Sequence, residues 1–562
     1  MNCSAMLNAY PDSLGGTLAD VVDLLRRPEL RGAFGSFYIL PSLFHSDMDR
    51  GFSVISYDLN WQFSTREDIL HLSELGLDLK LDFVLNHLSV LSPQFQDILR
   101  KGEASAYRDF FIDWNKFWQG RGEMTPEGYI QPDARYLQPM FFRKSGLPIL
   151  MVRFPDGREV PYWNTFYQDV RYDLPDEQDL MDALDLQYGQ AAELLHRIRR
   201  VLAEKKRASE ADFSGFEPYR DSLVGLLEGR RRYLGQMDIN IQSPAVWQYY
   251  EETLDKLRSY GAAIVRLDAF GYTSKIPGRK NFMNEPETWE ILGRLNQMAQ
   301  ARGLTLLPEV HAAYGEGQYL QLADMGFIVY DFFLPGLLID ALENHEASYL
   351  VRWAREQKAA GIRSINMLGC HDGIPLLDLK GLVPDERILA RIDLLVSRGG
   401  LIKNLHGQKN LYYQVNATYY SALGTSDAKM LLARALQLFM PGKPQVWYLD
   451  LFAGENDLDA VKRSGAAGHK EINRTNLTRE QMEDRLRLPI VQKQLQLLKM
   501  HNDCPAFDFD AELEIQARQD HLLSITWRKG GACARLEADL STYAFAADTD
   551  VDGRHFHFAQ EG

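Results

Sequence analysis

Three carboxylates, each placed after a short apolar run and in a fixed order, constrain this chain most. Asp268 closes Ile264-Val265-Arg266-Leu267, and Glu309 closes Leu304-Thr305-Leu306-Leu307-Pro308. Asp372 follows Ile365-Asn366-Met367-Leu368-Gly369-Cys370-His371. A barrel of parallel strands gathers such strand ends on one face, where its active site lies. Retaining glycoside chemistry needs one carboxylate as nucleophile and one carboxyl as acid/base, and a third can hold the sugar. One aspartate after an apolar run commonly caps a helix. Three with matching surroundings fit that account poorly.

The rest of the chain alternates helical and strand patterns, which predicts a parallel sheet with helices outside it. Thr17 to Leu30 reads as an amphipathic helix, Phe37 to Leu40 as a strand, Thr65 to Gly76 as a helix capped by Thr65, and Leu79 to Leu85 as a strand. The expected fold is α/β: a (β/α)8 barrel with inserted loop domains and a small C-terminal antiparallel β domain. The expected division is barrel 1–87, an inserted domain 88–173, a charged helical insertion 174–232, barrel 233–373, an acceptor-loop insertion 374–424, barrel 425–503 and a β domain 504–562. The 174–232 segment, with Arg197, Arg199, Arg200, Lys205, Lys206 and Arg207 clustered, reads as solvated helices, with a lid or subunit contact as the other reading.

Net charge is -15, which argues against nucleic acid and anionic membrane surfaces as partners. No run approaches the roughly 18 apolar residues of a membrane span. The N-terminus lacks a basic start followed by an apolar stretch, so a cytoplasmic enzyme is expected. The four cysteines, Cys3, Cys370, Cys504 and Cys533, lie far apart and show no metal-ligand spacing. Arg266, two residues before Asp268, is expected to keep that carboxylate ionised. The apolar context of Glu309 is expected to raise its pKa and hold a proton for a leaving group.

Asp82-Phe83-Val84-Leu85-Asn86-His87, Gln236-Met237-Asp238-Ile239-Asn240, Arg266-Leu267-Asp268-Ala269, Glu309-Val310-His311 and His371-Asp372 stand in the order of the conserved regions of glycoside hydrolase family 13. The chain resembles that family. The resemblance implies Asp268 as nucleophile, Glu309 as general acid/base and Asp372 as transition-state stabiliser. Further segments narrow it: Asp49-Arg50-Gly51-Phe52, Tyr413-Gln414-Val415-Asn416, Pro441 to Tyr448, Ala453 to Asp457 and Ile472-Asn473-Arg474 look like the sucrose phosphorylase subfamily. By that resemblance Asp49 and Arg474 clamp the glucosyl hydroxyls in a closed subsite and Phe52 packs on the ring. His87, Arg266 and His371 bond to the sugar, while Tyr272, His311, Tyr413 and Gln414 line the acceptor side.

Phosphorolysis requires excluded water and a cationic site beside the acid/base. The loop Phe142-Arg143-Lys144-Ser145-Gly146-Leu147-Pro148 matches, by position only, the place where the subfamily carries a phosphate-binding arginine, so either Arg143 or Lys144 could serve. Arg398, Lys403, His406 and Lys409 precede Tyr413. Their basic character resembles sucrose 6'-phosphate phosphorylases and would suit a phosphorylated acceptor; surface cations without a ligand are the plainer reading. The expected reaction is cleavage of sucrose or sucrose 6'-phosphate by inorganic phosphate. The alternatives are a sucrose hydrolase or transglucosidase, or a phosphorylase of another small α-glucoside. The resemblance implies no metal and no organic cofactor, although Asn86 stands where amylases place a calcium ligand. The oligomeric state is not fixed by the sequence.

Overall fold

The computed structural model describes residues 2–142, 146–203, 208, 213–404 and 412–562. The chain divides into two compact units: Met1–Asn86 with Pro139–Phe141 and Pro244–Gly562, and His87–Gln138 with Phe142–Ser243.

The first unit holds eight short parallel strands: β1 (Met6–Ala9), β2 (Ser36–Ile39), β3 (Asp78–Val84), β4 (Ala262–Asp268), β5 (Thr305–Pro308), β6 (Val329–Tyr330), β7 (Ser364–Met367) and β8 (Lys443–Trp447). Their spatial order is β5-β4-β3-β2-β1-β8-β7-β6. The ladder therefore runs almost fully round, with Leu7 opposite both Phe37 and Val446, and Val265 opposite both Leu81 and Leu306. This is the expected (β/α)8 barrel. Helices follow the strands, among them α1 (Leu18–Arg26) and α2 (Arg66–Glu74). Both begin with a capping box, Thr17 with Asp20 and Thr65 with Asp68. Each cap satisfies amide groups the first turn would leave unpaired, worth about 1 kcal/mol.

Within a strand, side chains alternate between faces. On β3 the apolar Leu79, Leu81 and Phe83 alternate with Lys80 and Asp82, all of them buried. Lys80 donates to Gln445 Oε1 at 2.7 Å and lies over the rings of Tyr38 and Tyr330. Asp82 accepts from the Tyr38 hydroxyl and from Arg266. The barrel interior is thus a polar stack, with Lys80 beneath the arginine that serves the site.

The unit closes with a five-stranded antiparallel meander, Glu512–Gln519, Leu522–Lys529, Ala532–Asp539, Phe545–Val551 and Arg554–Gln560. It is the expected C-terminal β domain. The Trp527 indole donates to the Phe439 carbonyl at 2.8 Å.

In the second unit, strand Arg231–Asp238 pairs antiparallel with Gln168–Tyr172 and with His87–Ser89. Trp114, Trp118 and Trp163 pack together, all fully buried. Helices Glu177–Leu184, Tyr188–Ala203 and Arg220–Gly229 enclose an apolar core of their own, with Leu180, Leu194, Ile198, Leu223 and Leu227 fully buried. The insertion is therefore more than a solvated face. Lys205, Lys206 and Arg207 lie outside the described residues; Arg197 pairs with Glu193 at 2.9 Å. Among the described residues, no helix is long and apolar enough to cross a membrane.

Candidate active site

The three carboxylates occupy the C-terminal ends of their strands. Asp268 is the last residue of β4, Glu309 directly follows β5, and Asp372 lies in the loop after β7. The Glu309 amide donates to the Leu267 carbonyl at 3.3 Å, which continues the ladder to the strand tips. Arg266 is 1% exposed and joins the deep side of the site. Its Nη1 lies 2.6 Å from Asp82 and 3.0 Å from Asp268, and its Nη2 lies 2.5 Å from Glu309. One guanidinium thus contacts the two carboxylates expected to do the chemistry and a third that anchors it.

The protonation bias differs from the sequence expectation. Burial pushes the Asp268 carboxyl well above its ordinary range; Arg266 opposes this, while Glu309, Asp82 and Asp372 add to it. Burial also acts upward on Glu309, but Arg266 and then His311 outweigh it and hold Glu309 well below the ordinary range. The apolar run before Glu309 reveals neither cation. His311 places Nε2 3.5 Å from Glu309 and Nδ1 3.1 Å from Asp378, with its ring stacked on Phe332. Burial would lower the His311 pKa; Asp378 and Glu309 raise it to about 9.

The other side of the site is built from loops. Asp49, Arg50 and Gly51 take left-handed φ values of 49°, 47° and 114° in succession. For Asp and Arg that conformation costs about 1–2 kcal/mol per residue. Arg50 holds the turn: it donates to the Arg474 carbonyl at 2.6 Å, pairs with Asp12 at 3.0 Å and lies over Tyr10. A Cβ at Gly51 would stand 2.1 Å from the Ser42 nitrogen and 2.2 Å from the Pro41 carbonyl carbon. The turn presents Phe52, which stacks on His371 at 5.0 Å, and Asp49, which lies 3.3 Å from Arg474. Burial lowers the His371 pKa to about 3, so this ring is neutral. Asp372 is held well below its ordinary range; burial opposes this, and the charges of Lys470 and then Arg474 overcome it.

Gln414 Oε1 accepts from the Gly373 amide at 3.0 Å and so fixes the turn after Asp372. The Tyr272 ring packs on Phe282, and its carbonyl accepts from Lys275, whose ammonium also donates to Asn86 at 2.8 Å. Among the described residues, no group of three or more His, Cys, Asp or Glu side chains could hold a metal ion.

Asp49, Phe52, Arg266, Asp268, Tyr272, Glu309, His311, His371, Asp372, Gln414 and Arg474 all belong to the barrel unit. His87 belongs to the other unit, where it pairs with Asp238 and packs its ring on Phe166. Arg143, Lys144, His406 and Lys409 lie outside the described residues. Of Lys403 and Tyr413 only the backbone is described, in the antiparallel pair Leu401–Asn404 and Tyr412–Asn416. Arg398, read with these loop cations, pairs instead with Glu343 at 2.9 Å and donates to the Ala422 carbonyl. Its chelated position makes it a structural group.

Sequence reasoning missed Asp82, Asp378 and Lys470. Asp82 sat inside a quoted motif, and its alternation with Phe83 was the available signal. Lys470 lies four residues before Arg474, 2.5 Å from Asp372 Oδ1. Nothing in its local sequence marks it.

A barrel with three carboxylates at its strand ends and a buried arginine between two of them is the arrangement that the resemblance to glycoside hydrolase family 13 implies. Comparison with known proteins is more specific. No family model matches the chain. It is 49% identical over 557 residues to a sucrose 6(F)-phosphate phosphorylase of Ilumatobacter coccineus, covering 98% of this chain and 96% of that one. The crystal structure of sucrose 6F-phosphate phosphorylase from Thermoanaerobacter thermosaccharolyticum matches with a TM-score of 0.81 and 32% identity, over 100% of this chain and 98% of that one. A glucosylglycerol phosphorylase of Marinobacter adhaerens is 30% identical over 545 residues, covering 96% of this chain and 95% of that one. The chain belongs to the sucrose phosphorylase family.

Proposed function

We propose that this protein is a retaining glucoside phosphorylase. It cleaves sucrose 6'-phosphate or sucrose with inorganic phosphate, giving α-glucose 1-phosphate and fructose 6-phosphate or fructose. The observation that carries the reading is the buried guanidinium of Arg266, in contact with both Asp268 and Glu309 at adjacent strand ends. In the first step Glu309 protonates the glycosidic oxygen while an Asp268 oxygen attacks C1, and the fructosyl group leaves. In the second, a phosphate oxygen attacks C1, the bond to Asp268 breaks, and Glu309 takes up the phosphate proton. Two inversions give retention.

The arrangement described above holds Glu309 ionised on Arg266, which the first step cannot use. A glycosidic oxygen seated against Glu309 is an acceptor that only the protonated acid can meet, so it favours protonation of Glu309 and loosens its hold on Arg266. The guanidinium is then left to Asp268 and Asp82, which favours the ionised nucleophile and returns the proton to Glu309. Asp49, Phe52, His87, His371, Asp372 and Arg474 hold the glucosyl unit; Tyr272, His311, Tyr413 and Gln414 face the acceptor. Arg143 or Lys144 meets phosphate, and Lys403, His406 and Lys409 meet a phosphorylated acceptor. In this reading the domain division keeps its functional sense: segment 374–424 shapes the acceptor side and 88–173 carries the phosphate loop. The enzyme works without a cofactor, in the cytoplasm.

The phosphorylated acceptor is supported by two relatives named for sucrose 6(F)-phosphate. Glucosylglycerol phosphorylase, at 30% identity, shows that acceptor chemistry varies within this distance. The deciding assay is release of glucose 1-phosphate from sucrose and from sucrose 6'-phosphate, with and without inorganic phosphate. Phosphate-dependent release with preference for the phosphate ester is expected. Free glucose released at a rate indifferent to phosphate would make the protein a hydrolase.

A further inference from the structure

Carboxylates crowd this site, among them Asp82, Asp268 and Glu309 on the deep side and Asp49 and Asp372 on the loop side. Arg266 serves the first three. Arg474, the arginine on the loop side, is turned to Asp49 and to the backbone rather than to Asp372. Its Nε donates to the His371 carbonyl at 2.8 Å and its Nη1 lies 3.3 Å from Asp49. Only Nη2 approaches Asp372, at 3.7 Å, beyond hydrogen-bond reach. The ammonium of Lys470 fills that place, 2.5 Å from Asp372 Oδ1 and 3.9 Å from Asp49 Oδ2. Lys470 comes from the 3-10 stretch Gly465–Asn473, whose last residue is itself fastened to the Asp372 loop. The Asn473 amide donates to the Cys370 and Asp372 carbonyls at 2.7 and 2.9 Å.

We infer that Lys470 is a positioning residue for glucosyl transfer: its ammonium fixes the orientation of the Asp372 carboxylate. The inference rests on the phosphorylase reading for the identity of the reaction. The glucosyl unit must distort toward the oxocarbenium geometry while its hydroxyls stay bonded to fixed partners. A carboxylate tethered on one oxygen presents the other in a fixed direction.

The test compares Lys470→Met, Lys470→Gln and Lys470→Arg with the wild type. For glucose 1-phosphate release, Lys470→Met and Lys470→Gln should lower kcat by roughly 10- to 100-fold, the scale of a small misplacement at a reacting centre. The KM for phosphate should stay within about two-fold, because phosphate meets a different part of the site. Lys470→Arg, which restores a cation, should recover most of kcat. Unchanged kcat in Lys470→Gln, or a Lys470→Arg variant that melts like the wild type yet recovers nothing, would overturn the inference. Calorimetric binding of glucose separates it from the broader reading. If the wild type releases no glucose 1-phosphate, the phosphorylase reading falls. Glucose affinity then decides Lys470: about ten-fold weakening in Lys470→Gln, reversed in Lys470→Arg, supports it, and equal affinity in all forms sinks it.

Discussion

The site has two sides that solve the same electrostatic problem differently. On the deep side, Asp82, Asp268 and Glu309 sit on strands or at their tips and share Arg266, a cation 1% exposed whose partners the barrel register fixes. On the loop side, Asp49 and Asp372 sit on turns; Arg474 lies against Asp49 and Lys470 against Asp372, the lysine coming from the 3-10 stretch Gly465–Asn473 and the arginine directly following it, about a hundred residues beyond Asp372. Loss of Arg266 would strip three carboxylates of the cation they share. The loop side has two cations, partial exposure at Asp49 and several backbone tethers, so it degrades gradually. In the proposed reaction, strands would give rigidity to bond making and loops an adjustable grip on the sugar.

The largest effects should come from the deep side. Asp268→Asn should abolish glucose 1-phosphate formation, a loss of about 10⁴-fold or more, the scale on which removal of a nucleophile is felt. Measurable turnover near the wild-type rate would unseat Asp268. Arg266→Met leaves Asp82 buried without its cation, and breaking such a pair costs about 3–5 kcal/mol. Denaturant unfolding should show that loss, with activity absent; near-wild-type stability would mean Asp82 is satisfied in another way.

Next comes Glu309→Gln, expected to slow cleavage of sucrose or its phosphate by roughly 10²–10⁴-fold, the usual share of proton transfer. The same variant should still release fluoride from α-glucosyl fluoride, whose leaving group needs little protonation. Equal loss on both substrates would assign Glu309 another role.

A smaller effect tests the His311–Asp378 pair at the edge of the deep side. The folded-state pKa of His311 is raised, to about 9, above its ordinary 6.5. The stability it supplies is therefore complete below 6.5 and lost as pH rises through about 9. Asp378→Asn should cost on the order of 2 kcal/mol below 6.5 and much less above 9. Unfolding curves at the two extremes check this, and a cost independent of pH would break it. The smallest effect is expected on the acceptor loop. Lys403→Ala or His406→Ala should weaken sucrose 6'-phosphate several-fold, about 1 kcal/mol for an exposed ion pair, and leave sucrose unchanged. Equal losses on the two substrates would remove these cations from acceptor recognition.

The deep side was legible in the sequence because strands impose local rules. Apolar runs ending in Asp268 and Glu309 marked strand tips, and Arg266 stood two residues from Asp268, hence on the same face. The polar barrel interior was less legible: Lys80 and Asp82 are embedded in apolar sequence, and their partners Tyr38, Tyr330 and Gln445 come from three other strands. The loop side depended on resemblance. Asp49 and Arg474 were found through quoted motifs, whereas Lys470, in Gly-His-Lys-Glu, looks like any solvated loop cation. The same limit inverted the reading of Arg398, whose partner Glu343 lies 55 residues away. The sense of the Glu309 shift was missed for a related reason. Local hydrophobicity reports burial, but two cations from elsewhere in space decide the sign.

The turn at Asp49, Arg50 and Gly51 has a consequence for how this site can vary through descent. Gly51 cannot acquire a side chain without striking the backbone of Pro41 and Ser42, and its φ of 114° already favours glycine. The residue that touches no sugar is therefore less replaceable than many that would. A lineage that changes Gly51 must rebuild the turn, and with it the placement of both Asp49 and Phe52. Loss of this glycine in a newly sequenced member would mark an enzyme whose sugar-gripping end has been remodelled, even where all three barrel carboxylates persist.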